Sequence, residues 1–194
     1  MTNVFNLISC CIFFTLTGCA DGVPVATSSD TATRCHVVMR GDSITNQAGQ
    51  TIAEFLPNCT VDNLGVDASI LADVVQPVMS FDKNTIYTYS YGANECLGER
   101  VSVADYRATL NHVAAQGKDY RLVFEAPWRL THSACRIDAY RQAVVDIGGR
   151  YGIPVVIEND QSHSGDNIHL TQAHMRERAR LLAVAITKIG EVAK

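Results

Sequence analysis

The residues of this sequence best suited to covalent chemistry are a serine, a histidine and an aspartate. Ser43 lies in the segment MRGDSITNQ, which follows an apolar stretch of strand type at residues 35–39 (CHVVM). Asp166 and His169 lie three residues apart in DNIH. A serine hydroxyl is a weak nucleophile until a base takes its proton, and a histidine oriented by a carboxylate is the usual base. The three residue types therefore indicate nucleophilic catalysis at Ser43.

Donors for a negatively charged intermediate are also present in the sequence. A tetrahedral intermediate needs hydrogen bonds to its oxygen. Asn94 offers a side-chain amide after the third predicted strand, and the backbone N–H groups of Ser43 and of the turn after the second strand offer two more. Simpler interpretations exist for each residue: Ser43 as a helix cap, Asn94 as a turn residue and Asp166 as an N-cap, although a cap does not exclude catalysis.

A metal site is the weaker interpretation of the same region. Its candidate ligands would be His163, Asp166, His169 and His174. Their spacing fits no HExxH pattern, and a helix through this segment would place His169 and His174 on different faces. We therefore expect neither a metal nor a cofactor.

The elements that must position these residues alternate along the chain. Strands are predicted for residues 36–41, 59–65, 85–92, 120–127 and 153–159, and helices for 44–56, part of 69–81, 103–117, 133–152 and 170–194. This alternation predicts a parallel sheet of five strands with helices on both faces, a three-layer α/β/α sandwich. Ligands bind such sheets beyond the carboxyl ends of the strands, where the candidate residues lie.

Four segments, in this order and each after a predicted strand, resemble the motifs of the SGNH hydrolases, also called GDSL esterases and lipases. They are residues 41–45 (GDSIT), 63–68 (NLGVDA), 92–95 (GANE) and 166–169 (DNIH), and the resemblance covers residues 35–194. The family motifs Asn-x-Gly-x-x-Gly and Gly-x-Asn-Asp are met with two departures. Ala68 replaces a glycine and Glu95 replaces an aspartate.

The resemblance implies a flavodoxin-like fold and a role for each matching residue. Ser43 would be the nucleophile and an oxyanion donor through its amide, His169 the base, and Asp166 the residue that orients it. Ala68 would donate its backbone N–H and Asn94 its side-chain amide. The methyl group of Ala68 should be tolerated if its φ is negative, and Gly65 is the alternative donor. Glu95 puts a local loop contact in doubt, not the chemistry.

The function implied is a carboxylic-ester hydrolase that works through an acyl-enzyme. No long hydrophobic insertion is present to form a lid, which favours short-acyl or O-acetyl esters of a small molecule or glycan. The alternatives are a lipid or lysophospholipid acyl hydrolase, a thioesterase, and, in another class, a non-catalytic surface binding protein. Trp128 and Arg129 follow the fourth predicted strand and either line the substrate site or pack the loop.

Composition restricts the class of partner. The chain has 194 residues, a net charge of −4 and no basic stripe, which argues against nucleic-acid binding. Its length suits one domain, and we expect a monomer.

The amino-terminal residues are predicted to direct export. Residues 7–16 (LISCCIFFTL) are apolar but short for a membrane span, which is typical of a signal peptide over residues 1–18. The following LTGC resembles the lipobox of bacterial lipoproteins, which implies lipidation of Cys19. Residues 19–34 are small and polar, as in a flexible tether, and residues 35–194 form the hydrolase domain. The expected location is an outer-membrane lipoprotein facing the periplasm, or the cell surface, or otherwise secretion, with the lipid as the sole membrane contact.

Four cysteines remain in the predicted domain, and an even number in an exported domain favours disulfides. Cys35 and Cys59 each precede a strand, and these two strands are expected neighbours, close enough for a disulfide. Cys96 and Cys135 both fall in loops after strand ends. The expected pairs are therefore Cys35–Cys59 and Cys96–Cys135.

Overall fold

The computed structural model describes residues 35–129, 135–158, 166 and 168–192. Its sheet has five parallel strands in the order β2-β1-β3-β4-β5. The strands are β1 (Cys35–Gly41), β2 (Cys59–Gly65), β3 (Thr85–Ser90), β4 (Arg121–Glu125) and β5 (Val155–Val156). The helices are α1 (Ser43–Phe55), α2 (Leu71–Val74), α3 (Ala93–Cys96), α4 (Val103–Gly117), α5 (Ile137–Tyr151) and α6 (Gln172–Val192).

Helices cover both faces of the sheet. Successive side chains of a strand point to opposite faces, and in β1 Val38 packs into the core formed with α4 and α5. Val37 and Met39 pack into the other core, which α1 and α6 close. Because both faces are covered, all six residues of the central strand β3 are buried and its sequence shows no alternation of buried and exposed positions. The predicted α/β sandwich is confirmed.

Several element bounds differ from the prediction for local reasons. The predicted helix within residues 69–81 is a single turn, α2, because the chain becomes extended at Val75, two residues before Pro77. A short turn of helix, α3, follows β3 and was not predicted. β5 is only two residues long, at the edge of the sheet. In contrast, β2 and α4 begin and end where the sequence predicts.

Both predicted disulfides are present. Cys35 and Cys59 are directly opposite in the register of β1 and β2, with their Cα atoms 4.4 Å apart. Cys96, in α3, is bonded to Cys135, and their Cα atoms are 5.4 Å apart. The first disulfide joins the amino-terminal ends of β1 and β2, at the opposite end of the strands from the candidate site. The second ties the segment after β3 to the residues just before α5.

The part of the chain that the structure describes contains no helix long and apolar enough to cross a membrane. The two disulfides are compatible with an exported protein. The predicted signal peptide, the tether and Cys19 lie outside the described residues.

Removing the first disulfide should affect stability. Replacing both Cys35 and Cys59 by serine is expected to lower the free energy of unfolding by about 3 kcal/mol, because a cross-link over 24 residues no longer restricts the unfolded chain. Urea unfolding of the two proteins without reductant measures the difference. Equal midpoints and slopes would contradict the expectation.

Candidate active site

Ser43 is the first residue of α1, directly beyond the carboxyl end of β1. Asp42 is the N-cap of this helix, and its Oδ1 accepts a hydrogen bond from the backbone N–H of Ile44 at 3.0 Å. The turn is tight: a Cβ atom added to Gly41 would lie 1.9 Å from Oγ1 of Thr45. Only glycine therefore lets the strand pass this closely into the helix.

His169 meets Ser43 across 126 positions of sequence, and Asp166 contacts His169 in turn. His169 Nε2 is 3.1 Å from Ser43 Oγ, and Nδ1 is 2.5 Å from Asp166 Oδ2. Oδ1 of Asp166 accepts hydrogen bonds from the backbone N–H groups of Ile168 and His169, at 3.0 and 2.9 Å. These bonds fix the carboxylate on the turn. A hydroxyl, an imidazole and a carboxylate in this order are the arrangement that activates a serine.

Trp128 supports the turn that carries His169. Its side chain is only 3% exposed, and Nε1 donates to the backbone oxygen of Ile168 at 3.0 Å. The indole packs in a small core with Ile44 of α1 and Leu170, the residue after His169. Of the two roles considered for Trp128, packing the loop is the one the contacts support. Arg129 is exposed and contacts Asp138.

Asn63, the first residue of the second motif, joins the end of β2 to α1. Its Nδ2 donates to the backbone oxygens of Thr45 and Asn46, both at 2.9 Å. Its Oδ1 accepts the backbone N–H of Gly65 at 3.0 Å. The N–H of Gly65 is therefore already used, which argues against Gly65 as an oxyanion donor.

Ala68 has a positive φ of 59°. The condition set from the sequence, a negative φ, is not met, and the position is one that favours glycine. No described residue accepts a hydrogen bond from its backbone N–H. Its carbonyl accepts a hydrogen bond from Arg100 Nη1 at 2.7 Å. Its N–H is thus available to a ligand, unlike that of Gly65.

Asn94 lies on α3 and is half-buried. Its Nδ2 donates to the backbone oxygen of Ser69, next to Ala68, at 3.0 Å. This bond uses one of the two amide hydrogens and leaves the other for a second acceptor. The bond also links the turn after β3 to the loop after β2.

A buried ion pair lies behind the site and was not found from the sequence. Arg178 of α6 pairs with Glu125 at the end of β4, each side chain being 5% exposed. Arg178 Nη2 also lies 3.3 Å from Ser90 Oγ and 3.4 Å from Thr45 Oγ1. A signal was available, because Arg178 interrupts the apolar stripe of α6, whose buried members are Met175, Ala179, Leu182, Ala183 and Ile186.

Burial raises the pKa of Asp42, from its ordinary 3.8 to about 7. The hydrogen bond from the Ile44 N–H and the charge of Arg178 oppose this shift, whereas Glu95 and Glu125 add to it. Oδ2 of Asp42 is buried and has no hydrogen-bond partner among the residues that the structure describes. The residue next to Ser43 is therefore a carboxyl group that takes up a proton near neutral pH.

Nothing in the described ranges resembles a metal centre. No three His, Cys, Asp or Glu side chains are grouped there as ligands. His174 instead contacts Oγ1 of Thr171 at 3.0 Å. His163 lies outside the described residues.

Neither models of known families nor curated proteins match this sequence. Solved structures do share its architecture. A lipolytic protein of the G-D-S-L family from Desulfitobacterium hafniense is 14% identical, with a TM-score of 0.63 over 78% of this chain and 99% of that one. The protein has the α/β fold of the SGNH hydrolases. The M. smegmatis aryl esterase is also 14% identical, with a TM-score of 0.60 and coverage of 80% and 99%. A carbohydrate acetylesterase from Sinorhizobium meliloti is 11% identical, with a TM-score of 0.63 and coverage of 80% and 100%.

Replacing Asp42 by asparagine should change how stability depends on pH. Asp42 is protonated more readily in the folded protein than in the unfolded chain, so its contribution is complete below pH 3.8 and is lost as the pH rises to about 7. One unit of pKa difference between the folded and unfolded states is worth about 1.4 kcal/mol, so the free energy of unfolding lost over this range is on the order of 4 kcal/mol. Asparagine keeps an oxygen for the Ile44 N–H but does not ionise.

Urea unfolding at several values between pH 4 and pH 8 tests this. The stability of the wild type should fall relative to Asp42→Asn as the pH rises. Asp119→Asn, at an exposed position, is the matched control and should follow the wild type. Parallel curves for wild type and Asp42→Asn would show that Asp42 does not titrate in this range.

Replacing Ala68 by glycine should stabilise the protein. Alanine at a φ of 59° carries a steric cost of about 1–2 kcal/mol that glycine avoids, partly offset by the greater freedom of glycine in the unfolded chain. A net gain of about 1 kcal/mol is expected in urea unfolding. A loss of stability would show that the backbone at this position does not require the left-handed conformation.

Proposed function

We propose that this protein hydrolyses carboxylic esters through an acyl-enzyme formed on Ser43. The observation that carries the proposal is the hydrogen-bonded chain from Ser43 Oγ through His169 to Asp166, placed beyond the carboxyl end of β1. The fold supports it in general terms, because proteins with this fold include esterases.

In the first half-reaction, Ser43 Oγ attacks the ester carbonyl carbon while its proton moves to His169 Nε2. The carbonyl π electrons move to the oxygen and form a tetrahedral oxyanion. The intermediate then expels the alcohol, which takes the proton from His169, and leaves an acyl group on Ser43. Asp166 holds the imidazole with Nδ1–H toward its carboxylate, so that Nε2 faces the serine.

In the second half-reaction, water repeats the sequence at the acyl carbon. His169 removes a proton from the water as its oxygen attacks, and the new intermediate expels Ser43, which recovers the proton. The products are a carboxylic acid and the free enzyme. The cycle consumes one water and needs no cofactor.

The oxyanion is stabilised by donors at the start of α1 and in the two neighbouring loops. The proposed donors are the N–H of Ser43, the N–H of Ala68 and the amide of Asn94. The N–H of Ala68 has no acceptor among the described residues, and Asn94 has one amide hydrogen in reserve. The positive end of the α1 dipole would also stabilise negative charge on the oxyanion.

For the substrate, we propose a short-acyl or O-acetyl ester of a small molecule or glycan. The sequence has no long hydrophobic insertion to form a lid, which favours this choice over long acyl chains. Structures of similar fold include an aryl esterase and a carbohydrate acetylesterase, as well as a lipolytic protein. Lysophospholipid acyl hydrolysis and thioester hydrolysis use the same chemistry at Ser43 and are the alternatives. A panel of esters and thioesters of increasing acyl length, including acetylated sugars, separates them.

We also propose that the protein works outside the cytoplasm, tethered by a lipid on Cys19. Two disulfides support export. The lipid would keep the hydrolase at a membrane surface without placing the domain in the bilayer.

Replacing Ser43 by alanine should abolish ester hydrolysis without unfolding the protein. No acyl-enzyme can form without the hydroxyl, and kcat is expected to fall on the order of 10⁴–10⁶-fold. His169→Ala should act similarly. Hydrolysis of p-nitrophenyl acetate measures the rates, and circular dichroism checks the fold.

Ser80→Ala, at an exposed position, is the matched control and should retain activity. A fluorophosphonate probe provides a second test, because an activated serine reacts and an inert one does not. Failure of the wild type both to label and to hydrolyse any ester would favour the alternative class, a surface binding protein on this fold.

A further inference from the structure

Glu95 stands where the family motif has an aspartate, and its side chain is almost completely buried, at 2% exposure. Its carboxylate makes two hydrogen bonds to backbone N–H groups. Oε1 accepts from Leu71 at 2.6 Å, and Oε2 accepts from Gly92 at 2.8 Å. One carboxylate therefore bridges the segment that follows β2 and the segment that follows β3.

These two segments carry the two proposed oxyanion donors that do not belong to α1. Leu71 is three residues beyond Ala68, and Gly92 is two residues before Asn94. Both ends of the bridge are fixed. The Leu71 side chain is 1% exposed in the core, and Gly92 is buried against Pro127, which a Cβ on the glycine would approach to 2.8 Å.

Further hydrogen bonds join the same two segments. Asn94 Nδ2 donates to Ser69, and Arg100 donates to the carbonyl of Ala68. Glu95 lies on α3, in the segment after β3, and differs from Asn94 and Arg100 in being deeply buried. One of its oxygens is anchored within its own segment, at the Gly92 N–H, and the other reaches across to the Leu71 N–H, so this carboxylate sets how far apart the two segments lie.

The length of the side chain matters for this bridge. An aspartate at position 95 is one methylene shorter and cannot keep both oxygens on Leu71 and Gly92 without a backbone shift. A glutamine has the right length, but it presents an NH₂ group to one of the two N–H donors. Burial raises the pKa of Glu95, and the N–H groups it accepts and the charge of Arg100 lower it.

We propose that Glu95 is a positioning residue, which fixes the distance between the N–H of Ala68 and the amide of Asn94 so that both reach one oxyanion. The proposal rests on the proposed function, since an oxyanion forms only if Ser43 attacks an ester. Glu95 itself touches no substrate. It acts on the rate through the two donors, whose stabilisation of the intermediate depends on placement within about 1 Å.

The test compares Glu95→Gln and Glu95→Asp with the wild type in the hydrolysis of p-nitrophenyl acetate. Both variants should lower kcat by about 10-fold to 10²-fold, with KM changed less than twofold, because the substrate ground state carries no oxyanion. Each rate is divided by the concentration of sites that a fluorophosphonate labels at the end point, which corrects for any unfolded fraction. Glu99→Gln, an exposed glutamate in the same segment, is the matched control.

A double-mutant cycle with Asn94→Ala separates positioning from general destabilisation. If Glu95 acts through the donors, the combined loss in Glu95→Gln with Asn94→Ala is smaller than the product of the two single losses. If the loss of kcat in the double variant equals the full product of the two single losses, the proposal is overturned. A kcat per labelled site equal to that of the wild type in both Glu95 variants also overturns it.

The failure of the proposed function has a different signature. In that case the wild type itself shows no ester hydrolysis and no labelling, and the positioning role falls with it. If the wild type is active and both Glu95 variants have the same kcat per labelled site as the wild type, the positioning role alone is removed.

Discussion

The candidate site depends on the parallel register of the three strands β2, β1 and β3. Gly41, the last residue of β1, is opposite Gly65 on one side and Ser90 on the other. The three strands therefore end at one level, and the segments that follow them meet at one edge of the sheet. The two glycines have no room for a Cβ, against Thr45 and against the backbone of Asn46. The close packing of α1 on these strand ends sets the position of its first residue, Ser43.

The same convergence gathers ionisable side chains close to Ser43. Asp42, Glu95 and Glu125 are all buried, and Arg178 is the buried cation among them. Glu125 is neutralised by Arg178, and Glu95 is held by backbone N–H groups. Asp42 has a single N–H partner, and burial raises its pKa to about 7. A protonated Asp42 suits the proposed chemistry, because a negative charge at the start of α1 would repel the oxyanion that this helix end stabilises.

The sequence predicted the sheet well because buried parallel strands and amphipathic helices leave strong patterns, and the motifs identified the residues that meet at Ser43. It was less informative where tertiary contacts decide the outcome. The positive φ of Ala68 has no local signal, since alanine ordinarily avoids that region. The partner of Arg178 lies 53 residues away on another element, and the bridge of Glu95 joins segments that touch only in the folded protein. Such contacts follow from the packing of elements, which hydrophobic periodicity does not specify.

The two departures from the family motifs, Ala68 and Glu95, lie in one hydrogen-bonded unit. A glycine at position 68 would adopt the observed φ freely, whereas an alanine is held there only if its surroundings impose the conformation. Arg100 on the Ala68 carbonyl and Glu95 on the Leu71 N–H supply such restraint at the strained residue and three residues after it. The restraint has a consequence for the proposed catalysis. An N–H fixed by its neighbours needs less reorganisation when charge develops on the substrate than one on a flexible glycine turn, and preorganised donors of this kind stabilise an oxyanion most strongly.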